Sequence, residues 1–196
     1  MTDDLHPLMR AAIRARAGDC DPWEFALRSV APHLGPEDRL IGHGGEGIVY
    51  AGRGTITKFI LNWTHPARDL PQTAAWLRDL AARAAGALHI YAFEVEYVAS
   101  DLLAIRYPAE PGIPLTNAGA DADWLSVRPQ LIACFAELAA AGFGHTNPRP
   151  SNFVWDRDRL MLVDYGCDCR PLAEAAGALA RMQFMWSAGF YDRGEP

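Results

Sequence analysis

Lysine is nearly missing from this chain: Lys58 is the single lysine among 196 residues, and arginine carries the rest of the basic charge. Basic residues are in deficit overall, with 18 Lys and Arg against 24 Asp and Glu and a formal net charge of -6. Binding to nucleic acid calls for a basic face against the phosphates, so this balance argues against it and favours a small molecule or a protein as partner. Long apolar runs are also missing. The best, Leu131 to Phe143, is interrupted by Glu137 and falls short of the roughly 20 residues a membrane span needs, so it reads as a buried helix and no membrane partner is expected. The opening MTDDLHPLMR is acidic and has no apolar secretory core, which predicts a cytoplasmic protein as synthesised and leaves secretion as an effector open. Cysteine is scarce. Cys20, Cys134, Cys167 and Cys169 are too few for a disulfide framework, and Cys167 with Cys169 lacks both the paired CxxC spacing and the further ligands of a zinc site. Free thiols are the expectation.

What is present is apolar: half of the residues are hydrophobic, enough for one domain or for two small lobes sharing a cleft. Residues 5 to 17 and 22 to 34 place apolar side chains at helical spacing, which predicts an N-terminal helical extension over residues 1–38. RLIGHGGEGIVYAGRGTITKFIL then alternates β-branched and apolar residues around glycines, the pattern of three antiparallel strands with tight turns. QTAAWLRDLAARAAG is rich in helix formers and closes at Gly86. Two strands are expected near HIYAFEVEYVA and LLAIRYP, followed by the turn-rich AEPGIPLTNAGADAD. Pro129 can open a helix whose Leu131, Cys134, Phe135 and Leu138 share one face, with Gly142 as its cap. The fold class is α+β, a strand-rich part over residues 39–110 and a helical part over 111–196.

Gly42, Gly44 and Gly47 form G-x-G-x-x-G, followed by Val49. Such glycines let backbone N–H groups close over a phosphate chain, but the spacing alone is weak. Its surroundings decide between two uses. A dinucleotide loop leads from a strand into a helix, whereas this one leads into the strand-like GTITKFI. Lys58 on that strand is placed to reach phosphates under the loop, where a compact ammonium suits the space between phosphate oxygens better than a guanidinium fork. Further on, His145 and Asn152 match the ends of H-x-D-x-x-x-x-N, and Asp164, Tyr165 and Gly166 follow a short predicted strand pair.

In this order and spacing the chain resembles the protein-kinase-like superfamily over roughly residues 39–170, in a minimal, truncated form similar to small bacterial effector and toxin-type kinases. The resemblance implies a two-lobed fold with ATP bound between a small antiparallel-sheet N-lobe and a reduced helical C-lobe. Gly42, Gly44, Gly47, Val49 and Lys58 would hold the nucleotide, Asn152 and Asp164 would hold Mg2+ through oxygen, and Lys58, Asn147 and Asp164 would be the catalytic set. His145 would make a structural hydrogen bond.

Three departures bear on activity. Asn147 stands where the family has its catalytic aspartate, and an amide cannot accept a proton from a substrate hydroxyl. Asp156 and Asp158 follow, but D-R-D between strands reads as a hairpin turn. The helix glutamate that pairs with the lysine is missing; alignment on Trp76 and Leu77 puts Thr73 there, so Lys58 is paired differently or held by nucleotide alone. Residues 167 to 196 contain no A-P-E-like motif, and a closing helix is expected in place of a peptide-docking lobe. The resulting expectation is a weak or atypical ATP-dependent phosphotransferase acting on a protein or small molecule. A nucleotide-binding pseudokinase that serves as a regulatory or scaffold module is the alternative. AMP transfer is a further one, since selenoprotein-O-like enzymes also lack the aspartate, and Arg53 is the only added basic residue near the glycine loop. Oligomeric state is not legible.

Overall fold

The computed structural model describes residues 22–44, 46–62, 69–108, 112–115, 124–156 and 158–171. They divide between two compact units, one drawn from Met1–Ala75 and Phe93–Glu110 and the other from Trp76–Ala92 and Pro111–Pro196.

The first unit begins with α1 (Pro22–Val30), which tightens into one 3-10 turn over Ala31–His33. This covers the expected helix at 22–34; the one expected at 5–17 lies outside the described residues. Five strands follow: β1 (Arg39–His43), β2 (Gly47–Gly52), β3 (Thr55–Leu61), β4 (Glu94–Val98) and β5 (Leu102–Pro108). They pair in an antiparallel sheet of order β1-β2-β3-β5-β4. Arg53 and Gly54 turn β2 into β3 with φ of 50° and 72°, the left-handed pair that a two-residue hairpin requires. Alternation along the strands gives the sheet two different faces. Ile48, Tyr50, Phe59, Leu61, Leu102 and Ala104 form a core with Ala26 and Val30 of α1. Val49, Lys58 and Ile105 make a cross-strand row on the opposite face, because each is one residue out of step with that core.

Helix α2 (Leu70–Arg83) starts at Asp69, whose Oδ1 accepts the Gln72 N–H at 2.9 Å and caps the first turn. Leu70, Thr73, Ala74, Leu77 and Leu80 are its buried stripe. It ends before Gly86, at φ +86°, and the boundary between the units falls within it.

In the second unit, α3 (Trp124–Ala140) begins one and a half turns before Pro129, which sits inside the helix and does not open it. The buried stripe explains the extension, since Val127 precedes Leu131, Cys134 and Leu138 by the same spacing. Pro129 itself is exposed, and the helical bond it cannot donate would have gone to the carbonyl of Leu125, another exposed residue. Gly142, at φ +86°, ends the helix, and its N–H donates to the Ala139 carbonyl at 2.9 Å. The unit also contains short strands: β6 (Ile113–Pro114), β7 (Phe143–His145), β8 (Phe153–Asp156), β9 (Arg159–Leu162) and β10 (Cys169–Pro171). They form the sheets β6-β8-β9 and β10-β7. His89–Tyr91, expected to start a strand, instead adds a single parallel bridge between Ile90 and Leu162.

Polar side chains of α3 fix that bridge. Glu137 Oε1 and Oε2 accept the N–H groups of Leu88 and His89 at 3.1 and 2.8 Å, and Gln130 Oε1 accepts the Leu160 N–H at 2.7 Å. The glutamate that interrupts the apolar run is therefore an anchor. His89 Nδ1 lies 2.7 Å from the Leu160 carbonyl, which can only accept, so Nδ1 carries the proton. Cys134 is buried beside this network, and burial, reinforced by the Glu137 charge, pushes its thiol well above the ordinary range. Cys134, Cys167 and Cys169 are all buried and outside any disulfide, and among the described residues no three His, Cys, Asp or Glu side chains group as metal ligands. An alkylating reagent at pH 8 is expected to leave these three cysteines unmodified in the native protein and to label all three after denaturation, read by peptide mass spectrometry. Native labelling of Cys134 would mean that α3 is not packed as described.

Candidate functional site

Gly42, Gly44, Gly47, Val49 and Lys58 fall in the first unit, and Asn147, Asn152 and Asp164 in the second. In the first, β1 and β2 place Gly42 opposite Val49, and β2 and β3 place Val49 opposite Lys58. The three glycines differ in why they are glycine. A Cβ on Gly47 would lie 1.8 Å from the Phe59 carbonyl oxygen, so close strand packing demands glycine there. At Gly42 and Gly44 a Cβ would meet nothing within 4 Å, which leaves the loop open to close approach by a ligand. The Gly44 N–H is already used, donating to the Gly47 carbonyl at 2.9 Å.

Lys58 takes its counter-ion from the glycine loop itself and not from the helix. Its Nζ lies 3.2 Å from Oε2 of Glu46, inside the glycine loop, with side chains only 12% and 18% exposed. Thr73, the helix position aligned with the missing glutamate, is buried and uncharged. A single acidic residue within a glycine-rich loop, in a chain with one lysine, was the available signal. Arg53 stands at the far end of β2 from this loop, about 17 Å along the strand at the usual rise. It is largely exposed and near Glu37.

In the second unit, the loop from His145 to Asn152 is held by its own polar groups. His145 is fully buried; its Nδ1 accepts the Asn147 N–H at 3.3 Å, and its Nε2 faces the Asp164 carbonyl at 3.1 Å. A backbone N–H only donates and a carbonyl oxygen only accepts, so Nδ1 is the accepting nitrogen and Nε2 carries the proton. It ties Asn147 to Asp164 and leaves neither ring nitrogen for acid-base work. Asn152, also buried, donates from Nδ2 to the Asn147 carbonyl at 3.2 Å, while its own carbonyl accepts the N–H groups of Val163 and Asp164 at 3.0 and 3.3 Å. Its Oδ1 accepts the Ser151 hydroxyl at 3.3 Å and keeps a second lone pair. Asn147 Oδ1 is 3.5 Å from Arg149 Nε. Tyr165 is fully buried, its hydroxyl 2.6 Å from the Leu162 carbonyl and 3.0 Å from that of Tyr91, so it anchors the segment that carries Asp164. Asp156 and Asp158 lie at the β8–β9 turn, with Asp156 bound to Arg159 at 3.5 Å.

The fold so assembled is a small kinase-like fold of mixed α+β class. Among solved structures that match it is one titled as the high-resolution crystal structure of WbdD, at a TM-score of 0.58 and 17% identity. The match covers 80% of this chain and 38% of that one. No family model matches the sequence, and no curated protein does. Among the described residues no helix is long and apolar enough to cross a membrane.

Proposed function

We propose that the protein binds ATP with Mg2+ and is a weak or atypical phosphotransferase for a protein or small-molecule acceptor. The observation that carries this reading is the way Asn152 joins Asn147 and Asp164: hydrogen bonds from one buried residue set the positions of the loop and of the following aspartate. Asn152 and Asp164 offer an amide oxygen and a carboxylate from adjoining backbone, a donor set that suits a hard divalent cation with several waters. When bound, Mg2+ would neutralise charge on the phosphates. Gly42 and Gly44 leave room for a phosphate chain beside their loop, and Lys58 supplies an ammonium to it. Asn147 and Arg149 orient an acceptor by hydrogen bonding. Phosphoryl transfer depends chiefly on positioning and electrostatics, so a site without a carboxylate base is slowed and not silenced.

A pseudokinase is the second reading, favoured by the same Asn147 and by a lysine whose charge is already balanced by Glu46. AMP transfer loses support from Arg53, which lies at the wrong end of β2. Incubation with Mg2+ and ATP labelled on the γ- or the α-phosphate separates the three. γ-Label incorporation is expected, at least tenfold lower in Lys58→Ala and in Asp164→Ala. α-Label alone indicates AMP transfer, and tight binding without incorporation indicates a pseudokinase. Absence of binding in calorimetry removes the nucleotide site altogether.

A further inference from the structure

We propose that Glu46 is a built-in competitor of nucleotide phosphate for Lys58, an inference that rests on the nucleotide-site reading above. The Glu46 carboxylate sits 3.2 Å from the ammonium, and both side chains are mostly withdrawn from water, where a pair interacts far more strongly than on an open surface. The acid belongs to the loop itself. The Glu46 carbonyl accepts the Leu61 N–H at 3.1 Å, and one residue on, Gly47 closes the turn to Gly44. A carboxylate carried on a helix can orient a lysine from the side away from the phosphates. Glu46 cannot, because a phosphate chain held under the glycine loop brings several negative charges into the space this carboxylate occupies. Two anions at contact distance from one ammonium repel each other, so phosphate binding requires Glu46 to give up Lys58. Open space around Gly42 and Gly44 gives the loop room for that exchange. The pair with Glu46 thereby competes with phosphate for the Lys58 ammonium, and nucleotide affinity is set below what Lys58 alone would provide.

Two measurements on the full chain test this, with thermal melts confirming that each variant is folded. Lys58 is the only lysine, so acetylation of its ε-amine by an N-hydroxysuccinimide ester is followed at one peptide. Glu46→Gln is expected to accelerate it several-fold, and an unchanged rate would show that the pair does not form in solution. In calorimetry with MgATP, Glu46→Gln is expected to bind about tenfold more tightly than the unsubstituted protein, with the gain absent in a Lys58→Ala background. Glu46→Asp, which keeps the charge on a shorter side chain, should fall between the two. Unchanged or weaker binding by Glu46→Gln, beside measurable binding by the unsubstituted protein, overturns the competitor role and leaves the nucleotide site standing. If no protein in the series binds MgATP, the nucleotide site fails and the competitor role fails with it, whatever the acetylation rates.

Discussion

Asn147→Asp is expected to raise the rate of γ-phosphate transfer by about 10²–10⁴-fold, the usual worth of a positioned general base. The substitution is nearly isosteric, and the hydrogen bonds that hold the loop use the backbone of residue 147: its N–H to His145 and its carbonyl from Asn152. Neither depends on the side chain. The side chain's own contact, from Arg149 Nε to Oδ1, becomes an ion pair in the variant. That guanidinium keeps the new carboxylate ionised and takes some of its basicity, which places the gain toward the lower end of the range. Incorporation of the γ-label at saturating MgATP measures it. A rate that does not move while MgATP still binds would show that a missing base is not what limits the site, and the pseudokinase reading would then stand.

Glu137→Ala is expected to cost about 2–4 kcal/mol, since it removes a carboxylate that accepts two backbone N–H groups and leaves the part-buried His89 amide without an acceptor. Leu88 is 61% exposed, so water can replace its bond, and most of the loss belongs to His89. For a chain of this size the change lowers Tm by about 5–15 °C. Glu137→Gln discriminates the mechanism from lost packing. It keeps one carbonyl acceptor but turns an amide donor toward the other N–H, so it should remain clearly destabilising although it fills the same space. A Glu137→Gln protein as stable as the original would mean that the bridge between Ile90 and Leu162 is held by packing alone.

Local patterns were enough for the elements whose signals are local. The glycine and β-branched alternation around residues 39–61 placed three strands, and Arg53-Gly54 has the left-handed geometry of their tight turn. The H-to-N spacing and the Asp-Tyr-Gly triplet are local signals too, and they coincide with the second unit's polar loop. The α3 start was missed because proline at a helix start is a statistical preference, whereas burial of Val127 is a contact that outweighs one lost hydrogen bond. His89–Tyr91 has the β-propensity of a strand start, but propensity says nothing about a partner; its bridge depends on Glu137, 48 residues away from His89. Tertiary structure alone decided what balances Lys58. The sequence by itself established that one lysine exists, that it follows a glycine loop, and that the helix lacks its acid. Only folding of the loop onto β3 brought Glu46 within 3.2 Å, because side-chain pairing across strands depends on register and loop path, which no residue spacing encodes.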